Sequence, residues 1–188
     1  MTTLRGCTPR DSPHPDDSAI SKLFANAAVV IGNYGVSCND EAALERALES
    51  GIKPLLRGLV QLSSPPTLLW RETLPQHFPT ASGLYKNQTV KPTKKPNHKT
   101  DTGADKSCTP ISAPGMQAAR WRNTHFATWL AKHSKLKERV KIIDAWDAFV
   151  NRADLHVGPP DCTHFLYSPF TWRYVWDGIA KQLGSASQ

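Results

Sequence analysis

Three short apolar runs, separated by segments with helical spacing, constrain the fold of this chain most strongly. They cover residues 27–31, 67–70 and 140–143. Short apolar runs bounded by turn residues are typical of buried strands. Strands that alternate with helices form a largely parallel sheet covered by helices, so the sequence predicts an α/β fold.

The segments between and after these runs carry the signals of helices. Asn39 or Asp40 can cap a helix that is expected to stop at Gly51, because side-chain oxygens favour the first position and glycine favours the position after the last. Apolar residues on one side indicate further helices. These helices are expected after Pro54, over 115–134 and over 170–183, with loop and turn at 144–168.

The positive charge of the chain is concentrated in one segment. The net charge is +7, and six lysines fall between Lys86 and Lys106 with almost no apolar residue among them. Such a composition predicts a disordered basic insertion at about 86–107, and residues 1–22 read as a polar tail. No aromatic residues interleave with the lysines to stack on bases, so nucleic acid is not an expected partner.

The hydropathy and the cysteines leave the location of the protein open. No segment reaches the apolar length of a membrane span, and the first residues lack the layout of a signal peptide. The cysteines contain no CxxC pair and fit neither a zinc ribbon nor a thioredoxin motif. They allow one or two disulfides and equally allow reduced thiols. The four are Cys7, Cys38, Cys108 and Cys162.

The segment Asp161-Cys162-Thr163-His164-Phe165 carries the clearest chemical signal. A carboxylate three residues before a histidine can accept a hydrogen bond from the imidazole. This contact fixes the tautomer and stabilises the imidazolium that forms when the ring takes a proton from a nucleophile. The spacing also occurs by chance in surface turns. Its position between a Gly-Pro-Pro turn and the last helix of an α/β chain favours a functional pair.

Three stretches of the sequence resemble one known family. DLHVGPPDCTHFLYSPFTWRYVWDGIAKQL resembles the closing block of the PC-esterase family, the trichome-birefringence-like acyl-esterases of the SGNH (GDSL) hydrolase superfamily. LLWRETLPQHFPTASGLY is similar to the family's strand followed by Arg-x-x-x-Pro-x-His-Phe, and AAVVIGNYGVSCND to its strand ending in Asn-x-Gly. With a WRN element at 121–123, the likeness covers about residues 24–183.

The resemblance implies a fold and an activity. The expected fold is an SGNH-hydrolase-like three-layer sandwich with a parallel sheet, over residues 23–184 and incomplete at its N-terminal side. The expected activity is hydrolysis or transfer of an O-acyl group, most simply acetyl on a carbohydrate, by a Ser–His–Asp mechanism without metal or organic cofactor. The implied partner is an acylated carbohydrate or another ester. Family members are often anchored in the secretory pathway or Golgi.

The same resemblance implies roles for five residues. His164 is expected to act as the general base and then acid, with Asp161 as its orienting partner. The side-chain amide of Asn33 is expected to donate to the oxyanion. Arg71 and His77 match family positions near the site and are expected to position substrate. The alternatives are a structural salt bridge for Arg71 and a loop histidine bonded to backbone for His77.

The sequence departs from the family pattern at the nucleophile. SGNH enzymes carry it in a Gly-Asp-Ser block before the asparagine block, and no Gly-Asp-Ser occurs here. Ser12 lies in Arg-Asp-Ser within the polar tail, and neither Ser18 nor Ser37 is a better candidate. The chain is therefore expected to be either a truncated esterase or a degenerate paralogue. The family's cysteine after the Asp-x-x-His turn is also missing, so Cys162 either pairs with Cys108 or both stay free.

Two other hypotheses remain open from the sequence. The first is a non-catalytic carbohydrate-binding or scaffold protein of the same fold, in which Arg71, His77 and the tryptophans form a sugar-stacking surface. The second is a zinc site. It would use His156, Cys162 and His164, but these residues lack an evident fourth ligand and fit no common spacing. The sequence indicates no oligomeric state.

Overall fold

The computed structural model describes residues 23–24, 26–38, 40–85, 107–158 and 161–184. The predicted polar tail at 1–22 lies outside the described residues, as does nearly all of the predicted basic insertion. The chain divides into two compact units. Unit 1 contains the described residues up to Thr73, Arg122–Ala145, and the described residues from Val175 onward; unit 2 contains those of Leu74–Trp121 and of Trp146–Tyr174.

Unit 1 is built on a three-stranded parallel sheet. Its strands are β1 (Val29–Gly32), β2 (Thr67–Arg71) and β3 (Val140–Ile143), in the order β1-β2-β3. Leu69 of β2 lies opposite Ile31 of β1 and, on its other side, opposite Lys141 of β3. Parallel strands need long crossover connections, which the helices between them supply. The three predicted strands and the mixed α/β class are confirmed.

Seven α-helices lie wholly within the described part of the chain. None of them combines the length and the apolar character that crossing a membrane requires. In chain order they are α1 (Glu41–Ala47), α2 (Lys53–Val60), α3 (Met116–Ala119), α4 (Trp121–Ala131), α5 (Ser134–Lys137), α6 (Trp146–Phe149) and α7 (Pro169–Gly184).

The first helix begins where the sequence indicates and ends later than expected. The Asp40 side chain accepts a hydrogen bond from the Ala43 backbone nitrogen, which is the predicted cap. The predicted stop at Gly51 is wrong, because a π-helical stretch over Leu48–Ile52 joins α1 to α2. A glycine ends a helix by adopting positive φ. Gly51 is not among the described glycines with positive φ, so the helix continues through it.

Two helices of unit 1 contact its sheet closely. Trp70 of β2 stacks on Phe126 of α4, with ring centroids 4.0 Å apart and an interplanar angle of 6°. From α7, the Gln182 side chain donates a 3.2 Å hydrogen bond to the Ile142 carbonyl of β3. An aromatic pair of this kind adds about 0.5–1.5 kcal/mol beyond the area it buries. Of the apolar side predicted for the last helix, Val175 and Ile179 are buried, whereas Trp176 is 55% exposed.

Unit 2 contains an antiparallel hairpin that the sequence pattern did not indicate. It is formed by β4 (His156–Gly158) and β5 (Asp161–Phe165), with an irregularity in the ladder between His156 and Gly158. The expectation of only loop and turn at 144–168 is therefore wrong, since this range also holds α6. Strands of three and five residues are too short to produce a readable alternation of apolar and polar side chains.

A disulfide joins Cys108 to Cys162 of β5. Their Cα atoms lie 5.4 Å apart, and 54 residues separate them in sequence. Cys38 is disulfide-bonded as well. Of the two states that the sequence left open, the structure has the paired one. In the loop-entropy description, closing a loop of this length stabilises the folded chain by about 4 kcal/mol.

Two glycines provide a matched test of this fold. A Cβ atom on Gly115 would lie 1.9 Å from the Ala81 carbonyl oxygen, whereas a Cβ atom on Gly51 would meet no atom within 4 Å. We expect Gly115→Ala to lower the free energy of unfolding by about 1–3 kcal/mol. Gly51→Ala should raise it by about 0.5–1 kcal/mol, because alanine favours the helix. Urea unfolding followed by circular dichroism measures both, and equal stabilities of the two variants would contradict the described backbone.

Candidate active site

The predicted carboxylate–histidine pair is formed on strand β5 of unit 2. The Asp161 Oδ2 atom lies 2.7 Å from His164 Nδ1. The other carboxylate oxygen, Oδ1, accepts hydrogen bonds from the backbone nitrogens of Thr163 and His164, both at 3.0 Å. One oxygen of Asp161 thus holds the local backbone and the other holds the imidazole ring. This is the contact the spacing was expected to make.

The exposed side of the His164 ring is the part that can do chemistry. Its side chain is 74% exposed. Because an ionised carboxylate only accepts hydrogen bonds, Nδ1 of His164 donates to Asp161, and the neutral ring carries its lone pair on Nε2. That atom has no hydrogen-bond partner within the described ranges. The arrangement presents a base of fixed tautomer to solvent.

The hydrogen bonds to Asp161 keep its carboxyl ionised. Burial opposes the charge, but the bonds from the His164 and Thr163 backbone and from the His164 ring outweigh it and lower the pKa of Asp161. A lowered folded-state pKa contributes stability above the usual pKa of an aspartate. This contribution is lost as the pH falls through the folded-state value. At neutral pH the carboxylate is therefore the acceptor that the pair needs.

Gln76 is a residue near this pair that the sequence reasoning missed. It is buried, and its Nε2 atom donates a 3.0 Å hydrogen bond to Thr163 Oγ1. Its Oε1 atom is buried without a hydrogen-bond partner in the part of the chain that is described. A buried acceptor left unpaired costs about 1–3 kcal/mol. The only sequence signal was its place just before His77 in the stretch that resembles the esterase family.

His77, expected to position substrate, is fully buried in unit 2. Its exposed fraction is 0%, its Nδ1 lies 2.7 Å from Nε2 of His156, and its Nε2 lies 2.9 Å from the carbonyl oxygen of Val150. A side chain without solvent contact presents no surface to a substrate. His77 therefore matches the alternative of a histidine bonded to backbone. Its partner His156 was considered from sequence only as a metal ligand.

Asn33, the expected oxyanion donor, lies in unit 1 directly after β1. Its Nδ2 atom donates to the Arg71 carbonyl oxygen at 2.9 Å and to Thr73 Oγ1 at 3.2 Å. The Thr73 hydroxyl donates in turn to the Tyr34 carbonyl oxygen at 3.2 Å. Both hydrogens of the Asn33 amide are thus used within the unit. Donation to an oxyanion requires that one of these bonds be exchanged.

Arg71, the other unit 1 candidate, ends β2 and is half-buried. Its Nη1 atom donates a 3.0 Å hydrogen bond to the Glu72 carbonyl oxygen. Burial lowers the pKa of the guanidinium, which nevertheless stays charged at neutral pH. The structure therefore offers a cation at the carboxyl end of β2, where α/β folds commonly bind ligands.

A buried asparagine fixes the chain beyond Arg71. The Thr73 backbone nitrogen donates to Asn123 Oδ1 at 2.8 Å, and Asn123 Nδ2 donates back to the Thr73 carbonyl oxygen at 3.0 Å. The amide replaces the strand neighbour that this stretch of backbone lacks. Next to it, Arg122 donates twice to the Cys38 carbonyl oxygen, and burial lowers its pKa to about 10. Arg122 and Asn123 of the WRN element thus have a structural use in unit 1.

The zinc hypothesis is wrong. The sulfur of Cys162 is committed to the disulfide with Cys108 and is not a thiolate that could bind a metal. Moreover, the described residues contain no group of three or more histidine, cysteine or acidic side chains placed to hold a metal ion.

Comparison of the chain with protein-family models, with curated proteins and with solved structures finds no match. The structure itself defines a mixed α/β protein with a three-stranded parallel sheet and an exposed histidine oriented by a carboxylate. The resemblance to the PC-esterase family stays a prediction from the sequence.

The tautomer of His164 is directly measurable. In Asp161→Asn, the side-chain oxygen can still hold the backbone turn, while the new amide donates to Nδ1 of His164. We expect the neutral ring to move its proton to Nε2, because Nδ1 must then accept. Imidazole ¹⁵N shifts in mildly alkaline solution report which nitrogen is protonated.

His125 is the internal control for this measurement. Its ring bonds to another carboxylate, with Nε2 lying 2.7 Å from Glu45 Oε2, and its nitrogen shifts should not change. A proton on Nε2 of His164 in the wild type would contradict the described geometry.

Proposed function

We propose that this chain is an SGNH-type O-acyl esterase or acyltransferase domain, in which His164 is the general base and Asp161 its orienting partner. The observation that carries the proposal is the 2.7 Å hydrogen bond between Asp161 Oδ2 and His164 Nδ1 on a ring that is 74% exposed. The likeness of three sequence stretches to the PC-esterase family supplies the reaction class. The SGNH-like three-layer sandwich is part of the same proposal, and the parallel sheet of unit 1 supports it.

The proposed chemistry is acyl transfer from an ester, most simply an acetyl group on a carbohydrate. Nε2 of His164 removes the proton of an attacking hydroxyl as its oxygen bonds to the acyl carbon. The imidazolium then returns that proton to the alcohol oxygen as the ester bond breaks. Water or a second hydroxyl repeats the sequence on the acyl intermediate, giving hydrolysis or transfer. Asp161 stays ionised throughout and holds the ring.

The hydroxyl nucleophile is the member of the mechanism that the proposal does not assign. The sequence contains no Gly-Asp-Ser block. In this mechanism the chain supplies the acid–base pair, and the hydroxyl that attacks the ester is identified by experiment.

The disulfides support an oxidising location. Cys108 is joined to Cys162, and Cys38 is disulfide-bonded as well. Disulfides persist mainly in secreted and lumenal proteins. This is the environment in which the resemblance places the enzyme, so a secretory-pathway location belongs to the proposal.

The test is hydrolysis of p-nitrophenyl acetate by the purified chain and by three variants. We expect His164→Ala to lower kcat/KM by about 100-fold or more, the range typical of a general base. Asp161→Asn should also lower it strongly, because the ring then holds the wrong tautomer. His125→Ala is the matched control, since His125 lies 2.7 Å from Glu45 as His164 does from Asp161.

The outcomes separate a site from generic imidazole chemistry. If only the two site variants lose activity, the proposal is supported, and a fluorophosphonate label followed by peptide mapping identifies the hydroxyl. If the wild type, His164→Ala and His125→Ala hydrolyse the ester equally slowly while folded, the chain is not an esterase.

Exposed aromatic side chains favour one other function, carbohydrate binding without catalysis. In unit 2, Tyr167 is 74% exposed and Phe170 is 85% exposed, a few residues after His164. Flat exposed rings of this kind stack on sugars, and exposed apolar groups in a cluster mark binding sites. If the esterase test fails, calorimetric binding of an acetylated oligosaccharide, lost in Phe170→Ala, would establish this function instead.

A further inference from the structure

The buried pair His77–His156 has more hydrogen-bond contacts than two neutral rings can make. Both residues belong to unit 2, with exposed fractions of 0% and 4%. The contacts are His77 Nε2 to the Val150 carbonyl oxygen at 2.9 Å, His77 Nδ1 to His156 Nε2 at 2.7 Å, and His156 Nδ1 to the His164 carbonyl oxygen at 3.1 Å.

Each of these contacts needs one proton. A carbonyl oxygen only accepts, so His77 Nε2 and His156 Nδ1 must both donate. A neutral imidazole carries one N–H, and these two donations use both of them. The 2.7 Å contact between the rings would then join two lone pairs. Any other pair of neutral tautomers instead sets a lone pair against a carbonyl oxygen. Three protons satisfy all three contacts, and they give the pair a charge of +1.

We propose that His77 and His156 hold one shared proton between their rings, and that this charged pair is a positioning element for the strand that carries His164. The shared proton rests on the hydrogen-bond geometry and is independent of the proposed function. The positioning role rests on the proposed function, because it concerns the general base of that function.

The surroundings of the pair suit a single positive charge. The acidic groups that act on it are Asp154, which raises the pKa of His77, and Asp161, which raises that of His156. Arg152 is ion-paired with Asp154 at 3.0 Å. The Phe165 ring lies 4.1 Å from the His156 ring and 6.1 Å from the His77 ring, between centroids. An aromatic ring as close as Phe165 is to His156 favours a cation.

Burial sets the limit of one proton. It lowers the pKa of His77 and of His156, and the charges of His77 and His164 lower that of His156 further. Burial alone would leave both rings neutral, but two neutral rings cannot fill the contact between them. The pair therefore takes one proton to complete its hydrogen bonds and resists a second, because a second would place two like charges in a buried site.

The pair reaches the candidate base through the backbone. His156 Nδ1 donates to the His164 carbonyl oxygen, and the His77 backbone nitrogen donates to the Cys162 carbonyl oxygen at 2.9 Å. These bonds hold β5 on both sides of Thr163. Without the shared proton, the pair cannot keep all three hydrogen bonds. The bond from His156 to the His164 carbonyl oxygen is one of those that can be lost.

Two substitutions remove the need for the shared proton in different ways. In His77→Asn, the amide nitrogen takes the position of Nδ1 and donates to His156, so the bond to the His164 carbonyl remains. In His156→Gln, the amide nitrogen takes the position of Nε2 and donates to His77, and the bond to His164 is lost. Neither variant requires an extra proton in the folded state.

The pH dependence of stability measures the shared proton. We expect the wild-type folding constant, divided by that of His77→Asn, to be flat below pH about 6 and to fall about tenfold per pH unit above about 7, until the shared proton is released. The reason is that above the usual pKa of histidine the unfolded chain binds no proton here and the folded wild type binds one. A neutral pair gives the reverse, a ratio that is flat in alkali and falls in acid, and would overturn the proposal.

The positioning role has its own readout. We expect His156→Gln, which loses the bond to the His164 carbonyl oxygen, to lower kcat for p-nitrophenyl acetate about tenfold with little change in KM, while the control His125→Ala keeps kcat. Equal activity in these two variants would overturn the positioning role.

If the wild type has no activity, the proposed function fails, and the stability ratio still decides the shared proton. If a variant does not fold, ¹⁵N shifts of the wild type decide instead, since a shared proton leaves one unprotonated nitrogen in the pair and a neutral pair leaves two.

Discussion

The hairpin of unit 2 depends on two hydrogen bonds to the backbone of β5, from the His77 backbone and the His156 side chain, and on a disulfide at Cys162. Strands of three and five residues are not stable as an isolated pair in water. The structure supplies what the ladder lacks: the carbonyl oxygens of Cys162 and His164 accept from His77 and His156, and Cys162 is tied to Cys108. Because these contacts hold the backbone, the side chain of His164 can be exposed and still keep a fixed orientation.

In unit 1, neutral side-chain amides supply hydrogen bonds to backbone that lies beyond the end of a strand. Beyond the last residue of a parallel strand, the backbone has polar groups with no neighbouring strand to bond. The side-chain amides of Asn33 and Asn123 bond the stretch from Arg71 to Thr73 in this way. The residues that resemble a catalytic signature thus make structural hydrogen bonds in this unit. A resemblance in sequence can arise from a structural requirement or from a catalytic one.

The sequence was sufficient for features that depend on local burial and failed for those that depend on distant contacts. Apolar runs predicted the three strands of the sheet, and the spacing of Asp161 and His164 predicted their contact. The prediction at Gly51 was wrong because a glycine can end a helix by adopting positive φ, and Gly51 does not adopt it. The bond between His77 and His156 joins residues 79 positions apart. No periodicity encodes such a contact, so the burial of His77 and the charge of the pair were beyond prediction from the sequence.

The disulfide between Cys108 and Cys162 also changes what proteolysis can do to the protein. The 54-residue separation encloses α3, α4, α5, β3, α6 and β4. A single peptide-bond cut anywhere inside this closed loop leaves two fragments that remain covalently connected. Such a nicked molecule has nearly unchanged mass and migrates as one band until a reductant separates the pieces, so integrity judged without reduction would overlook the damage.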